Sequence, residues 1–162
     1  MSKRLLALLL FLICFAVPLE AQTPLRLGVI GDSSSDEYRG TDNRGGAYAA
    51  VTFNWLELLA RFRGVDAGAW SSNSEPRRVG YAYNWARTAA TTATMLGQNQ
   101  HTGLAAQVDA GQIDAVIIWI GSNDFAPYNG NYNAIYSGAI AGAALETKIS
   151  DLIARVTLAL DT

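Results

Sequence analysis

The chain has 162 residues, half of them apolar and only 16% charged, with a formal net charge of −2. That length suits one domain. The apolar share excludes a disordered chain, and the lack of cationic excess argues against nucleic acid as a partner.

Lys3 and Arg4 precede an apolar run, Leu5 to Val17, which Pro18 breaks before Leu19-Glu20-Ala21. A basic start, an apolar core and a small residue before Gln22 are the layout of a secretory signal peptide cut near Ala21. The run is shorter than the roughly 20 residues that span a bilayer. Residues 1–21 are therefore expected to be removed, leaving no stable membrane anchor and a secreted or periplasmic domain over 22–162. The only cysteine, Cys14, lies in this leader, so the mature part is expected to hold no disulfide and no cysteine metal site.

Leu25–Ile30 (LRLGVI) reads as a short buried strand ending at Gly31. A polar loop spans Gly40 to Gly46. A helix is predicted over Ala47–Phe62, where Val51, Trp55, Leu58, Leu59 and Phe62 recur at three-and-four spacing. Gly64 stops it. Val65–Trp70 reads as a second strand, and residues 71–78 as a Ser/Asn/Pro/Arg loop. Short helices are predicted over Thr91–Leu96 and Leu104–Ala110, the second stopped by Gly111.

Ala115–Ile120 (AVIIWI) is apolar without alternation, which predicts a strand buried on both faces inside a parallel sheet. Ala134–Leu160 reads as helical, with Leu145, Ile149, Leu152, Ile153 and Val156 on one stripe. Strands alternating with helices predict a doubly wound, flavodoxin-like α/β/α domain. In such a parallel sheet the active groups sit in loops beyond the carboxyl ends of the strands.

Those loops are Gly31-Asp32-Ser33-Ser34-Ser35-Asp36 after the first strand and Gly121-Ser122-Asn123-Asp124 after the long apolar one. A serine on a strand-to-helix turn either points its hydroxyl into a cleft lined by backbone N–H groups or merely starts a helix. Asn123 likewise either caps the next helix or offers its amide to a developing oxyanion. Between the two loops, Asn84-Trp85-Ala86-Arg87-Thr88-Ala89-Ala90-Thr91-Thr92 forms a turn of small residues that lets backbone approach a ligand.

In their order and placement these three pieces resemble the blocks of the SGNH, or GDSL-type, serine hydrolase family over roughly residues 25–160. The resemblance implies that Ser33 is the nucleophile, that Asn123 donates its side-chain amide to the oxyanion hole, and that Ser33 N–H contributes too. The remaining donor is a backbone N–H at a position that is usually glycine. Here it is Ala89, which carries the N–H but suits positive φ poorly. Gly31, Asp32, Asn84, Gly121 and Asp124 complete the motifs.

The family's fourth block, Asp-x-x-His, is absent. The single histidine, His101, precedes the AVIIWI strand in a polar stretch that reads as a solvated loop or helix start, and Asp161 has no histidine after it. The resemblance thus implies the N-terminal part of a larger domain, its sheet stopping after the third or fourth strand–helix unit, without the catalytic base. The expected chemistry is cleavage of a carboxylic ester (lipid, aryl or O-acetyl sugar) through an acyl-serine, with no cofactor and no metal. The substrate partner is a small-molecule ester or acylated carbohydrate, and Tyr38, Phe125, Tyr128 and Tyr132 are candidates to line its site.

Two non-enzymatic readings remain open. Asp32-x-Ser34-x-Asp36 is similar to the metal-binding loop of von Willebrand A-like adhesion domains, although Asp36 stands where that loop has serine. The other is a non-catalytic, carbohydrate-binding SGNH relative.

Overall fold

The computed structural model describes residues 23–37, 46–75 and 77–162. The expected leader, Tyr38 and most of the Gly40–Gly46 loop lie outside them. Strand β1 (Leu27–Gly31) is buried along its whole length. It pairs in parallel with β4 (Ala115–Trp119), from Leu27 opposite Ala115 to Gly31 opposite Trp119. A short antiparallel hairpin, β2 (Trp70–Ser72) with β3 (Val79–Tyr81), lies between them in sequence.

The other edge of β1 is covered by chain that only touches it in parallel bridges, Arg26 with Asp66 and Val29 with Asn84. Leu27 N donates to Asp66 O at 2.8 Å, Trp85 N to Val29 O at 2.7 Å, and Arg87 N to Gly31 O at 3.0 Å. The expected strand over Val65–Trp70 is thus one bridge followed by β2. Asp66 itself is turned back on its chain, its carboxylate accepting from Gly68 N at 2.8 Å.

Side chains of β1 and β4 alternate between two cores, as period-two geometry requires. Leu27, Val29, Ala115 and Ile117 pack with Leu56, Ala67 and Ala86 on one face. Ile30 and Ile118 pack with Met95, Leu104 and Ile113 on the other. Helix α1 (Trp55–Phe62) covers the first face, while α2 (Thr92–Gly97), α3 (Gln100–Asp109) and α5 (Ala143–Leu160) gather on the second. This is the α/β/α arrangement with a parallel pair at its centre.

Three expectations need correction. The first helix starts at Trp55, not Ala47, because Asn54 caps it: the Asn54 side chain accepts from Glu57 N at 2.8 Å, and Glu57 Oε2 accepts from Asn54 N at 2.9 Å. Val51 therefore lies outside the apolar stripe and is exposed. Strand β4 is not buried on both faces; Val116 and Trp119 are 44% and 53% exposed, because among the described residues β4 is paired along one edge only, with β1.

The third correction concerns the last segment. It divides into α4 (Asn131–Tyr136) and α5: Gly138, at φ +79°, follows the end of α4 as a helix-stopping glycine does, and Gly142, at φ +51°, is the N-cap of α5. Along α5, Leu145, Leu152 and Val156 are half-buried, whereas Ile149 and Ile153 face out.

At the amino ends of the two central strands, Arg26 N and Nε both donate to Asp114 Oδ2, at 3.0 and 2.9 Å. These hydrogen bonds hold the Asp114 carboxyl down to about 2. The pair is solvent-exposed, so it fixes geometry more than it adds stability.

Asn54 does more than cap α1, since its Nδ2 also donates to Ser35 O at 2.8 Å and Asp36 O at 3.0 Å. Replacing it with alanine removes the cap together with one donor to each of two buried carbonyls, Ser35 O and Asp36 O. Asn54→Ala is expected to cost about 2–4 kcal/mol, read as a lower urea midpoint at unchanged slope. A loss below about 0.5 kcal/mol would contradict this double role.

Candidate active site

The parallel register places the loops after β1 and β4 side by side, and Asp32 joins them. Its carboxylate is fully buried. Oδ1 accepts from Ser34 N at 2.8 Å, and Oδ2 accepts from Ser122 Oγ at 2.7 Å. Ser35 N and Asp36 N both donate to Asp32 O, at 3.1 and 3.0 Å. Residues 32–36 therefore form one tight turn, with Ser33 on it and half-buried.

The turn can start this close to β4 because residue 31 is glycine: a Cβ there would stand 2.3 Å from the Trp119 carbonyl oxygen. Gly31 N is itself taken up by Gln100 Oε1 at 3.0 Å, from the fully buried first residue of α3.

The small-residue turn arrives as the third component. Asp36 Oδ2 accepts from Thr88 N at 2.7 Å and from Thr88 Oγ1. Asn84 Nδ2 donates to Ser35 O at 2.8 Å, and Asn84 Oδ1 accepts from Ala86 N at 3.1 Å. Ala89 follows at φ +65°, exposed and in the left-handed region, where an L-residue pays a steric penalty that glycine does not.

From the β4 side, Asn123 Nδ2 donates to Ala90 O at 2.9 Å, so one of its two amide hydrogens is engaged and the other is left for a ligand. Gly121, at φ +114°, turns the chain into this segment. Asp124 binds the first residue of α2 with both oxygens, accepting from Thr92 N at 2.9 Å and Thr92 Oγ1 at 2.6 Å.

The segment beyond is tied back by Asn129 Nδ2, which donates to Asn123 O at 2.7 Å, and by Asn131 Nδ2, which donates to Asp124 O at 2.9 Å. Past it lies an open apolar cavity of about 450 Å³ walled by Phe125, Tyr132, Ile135, Tyr136, Leu145 and Ile149. Two of the aromatics named from sequence therefore share one wall, while Tyr128 is exposed outside it.

The three motif segments thus meet: Asp32 to Ser122, Asp36 to Thr88, Asn123 to Ala90. Such an arrangement suits anion stabilisation beside a hydroxyl, because backbone and side-chain N–H groups are held in place before any ligand arrives. Both Asp32 oxygens and Asp36 Oδ2 are taken by protein donors, and among the described residues no group of three or more His, Cys, Asp or Glu side chains is placed to hold a metal ion. Nor is any helix among them long and apolar enough to cross a membrane.

His101 is the second residue of α3 and stands apart from these motifs. It walls a cavity of about 200 Å³ with Ile30, Leu104, Val116 and Ile118, to which neither Ser33 nor Asn123 contributes. Sequence reasoning missed the supporting residues Asn54, Gln100, Thr88 and Thr92. Only Asn54 left a readable signal, an Asn with Glu three residues later.

Because Ala89 is strained and exposed, Ala89→Gly is expected to raise stability by about 1 kcal/mol, seen as a higher urea midpoint. Destabilisation on this change would show that the turn does not hold a left-handed residue there.

No curated protein and no solved structure matches the chain significantly. The family model described as GDSL-like Lipase/Acylhydrolase matches residues 27–160, from the start of β1 to the end of α5. That span holds all three converging segments, and the chain belongs to the GDSL-like lipase/acylhydrolase family.

Proposed function

We propose that Ser33 is the nucleophile of a carboxylic ester hydrolase, with Ser33 N–H, Ala89 N–H and the Asn123 amide forming the oxyanion hole. The observation that carries this reading is the convergence of the three segments through Asp32–Ser122, Asp36–Thr88 and Asn123–Ala90. A base takes the Ser33 proton as Oγ attacks the ester carbonyl, and the carbonyl electron pair moves onto the oxygen held by the three donors. Collapse expels the alcohol, which leaves with a proton, and yields an acyl-serine. Water then attacks, giving the acid and restoring the serine.

The apolar cavity walled by Phe125 and Tyr132 supports an ester with a hydrophobic acyl or aryl part as substrate. The basic start and apolar core of residues 3–17 support export to the periplasm or beyond.

The base is a separate matter. His101 is the only histidine, and it walls the other cavity. We therefore propose that Ser33 in this chain works without its base and that turnover lies about 10⁶-fold below that of a complete triad.

Incubation with a small fluorophosphonate, with and without added imidazole, tests both parts. Slow phosphonylation of Ser33 that imidazole accelerates, and that Ser33→Ala abolishes, is the expected result. Rapid labelling without imidazole overturns the missing base. Labelling that persists in Ser33→Ala, or none at all even with imidazole, overturns the nucleophile.

A further inference from the structure

Glu37 directly follows the Asp32–Asp36 turn, and its carboxyl takes no part in the proposed mechanism. Its side chain is only 2% exposed. Oε1 accepts from Tyr81 N at 2.9 Å, at the end of β3. Gly80 leaves it room, since a Cβ there would lie 2.5 Å from the carboxyl carbon and from both oxygens. The carboxyl thus fills a slot between the β2–β3 hairpin and the serine-bearing turn, directly after Asp36, whose own carboxylate holds Thr88.

We infer that Glu37 is a positioning residue for the turn that carries Ala89, acting through the neighbouring Asp36. The inference rests on the proposed role of Ala89 in the oxyanion hole. Among the described residues, the charged groups that act on Glu37 are Asp36 on its own loop and Arg77 from the loop between β2 and β3. Arg77 is committed elsewhere, lying 4.3 Å over the Trp85 ring and donating to Ala82 O.

Two carboxylates on adjacent buried residues resist being ionised together. A neutral Glu37 leaves Asp36 free to stay ionised and to hold Thr88 N and Oγ1. An ionised Glu37 repels Asp36, and the grip on Thr88 loosens.

Burial pushes the Glu37 carboxyl up to about 7, against the opposing hydrogen bonds from Tyr81 N and the Asn84 side chain, with Asp36 adding to the rise. Between the ordinary carboxyl value near 4.5 and about 7, the folded protein keeps a proton that the unfolded chain has released. Stability therefore falls as pH rises through that window and levels off above it. The same ionisation is the one that slackens the turn.

Amide NMR of the wild-type chain from pH 5 to pH 9 tests the relay, with Glu37→Gln and Asp36→Asn as variants. In the wild type, the Tyr81, Thr88 and Ala89 amides are expected to shift together with one midpoint near 7. In Glu37→Gln that transition disappears from all three, and the fall in melting temperature between pH 5 and 7 flattens. In Asp36→Asn, Tyr81 still titrates while Ala89 does not.

Flat Thr88 and Ala89 amides in the wild type would overturn the inference without recourse to any variant, as would a transition that survives in Glu37→Gln. An undiminished Ala89 transition in Asp36→Asn would overturn the route through Asp36. Phosphonylation of Ser33 enters none of these readings, so the relay and the hydrolase assignment fail independently.

Discussion

The Asp32 carboxylate is the constraint on which the site depends. It is wholly buried, and a buried carboxylate is tolerated only when its oxygens are bonded. Here the partners come from two parts of the chain about 90 residues apart: Ser34 N on its own turn and Ser122 Oγ beyond β4. Without that bridge, the loops after β1 and β4 would be adjacent through strand pairing alone. With it, the serine turn and the Asn123 segment share one anchor.

Support for the anchor arrives from every side. Gln100 takes Gly31 N from the α3 face, Asn54 takes Ser35 O and Asp36 O from the α1 face, and Asn84 takes Ser35 O from the irregular edge of β1. Each of these side chains is buried, and each gives one polar atom to the backbone of the turn or of Gly31 just before it. A turn so constrained leaves little to reorganise when charge develops near it, which is how a preorganised site lowers a barrier. The strain at Ala89 is sustained by this surrounding network, as backbone strain at functional sites generally is.

The central strands and the motif loops were legible from sequence because they depend on local pattern. The apolar runs LRLGVI and AVIIWI marked β1 and β4 within a residue or two, and the glycines after them marked where the loops begin. Pattern could not show the cover on the outer edge of β1, because Asp66, inside the expected Val65–Trp70 strand, and Asn84, in the small-residue turn, meet β1 only in isolated bridges. Nor could it show that Val116 and Trp119 face outward, since exposure is set by what lies beside a strand and not by the strand's own composition.

Within the site, Ser33, Asn123 and the Ala89 position stood out through the resemblance of the three segments to the family's blocks, whereas Thr88, Thr92, Gln100 and Glu37 did not. Their roles come from tertiary register: Thr88 matters because it meets Asp36 from 52 positions away, and a threonine in a turn signals nothing of the kind. The split of the final segment was the opposite case. Gly138 and Gly142 were visible, but the Ala- and Ile-rich stretch around them masked the break they mark.

Whether the three separate segments form one oxyanion hole around Ser33, as proposed, is decided by a crystal structure of the Ser33-phosphonylated chain. The phosphonyl oxygen is predicted to lie about 2.7–3.1 Å from Ser33 N, Ala89 N and Asn123 Nδ2 together, the range expected for donors aimed at an oxyanion. A phosphonyl oxygen turned to solvent, with Ala89 N and Asn123 Nδ2 beyond hydrogen-bond reach, would contradict it.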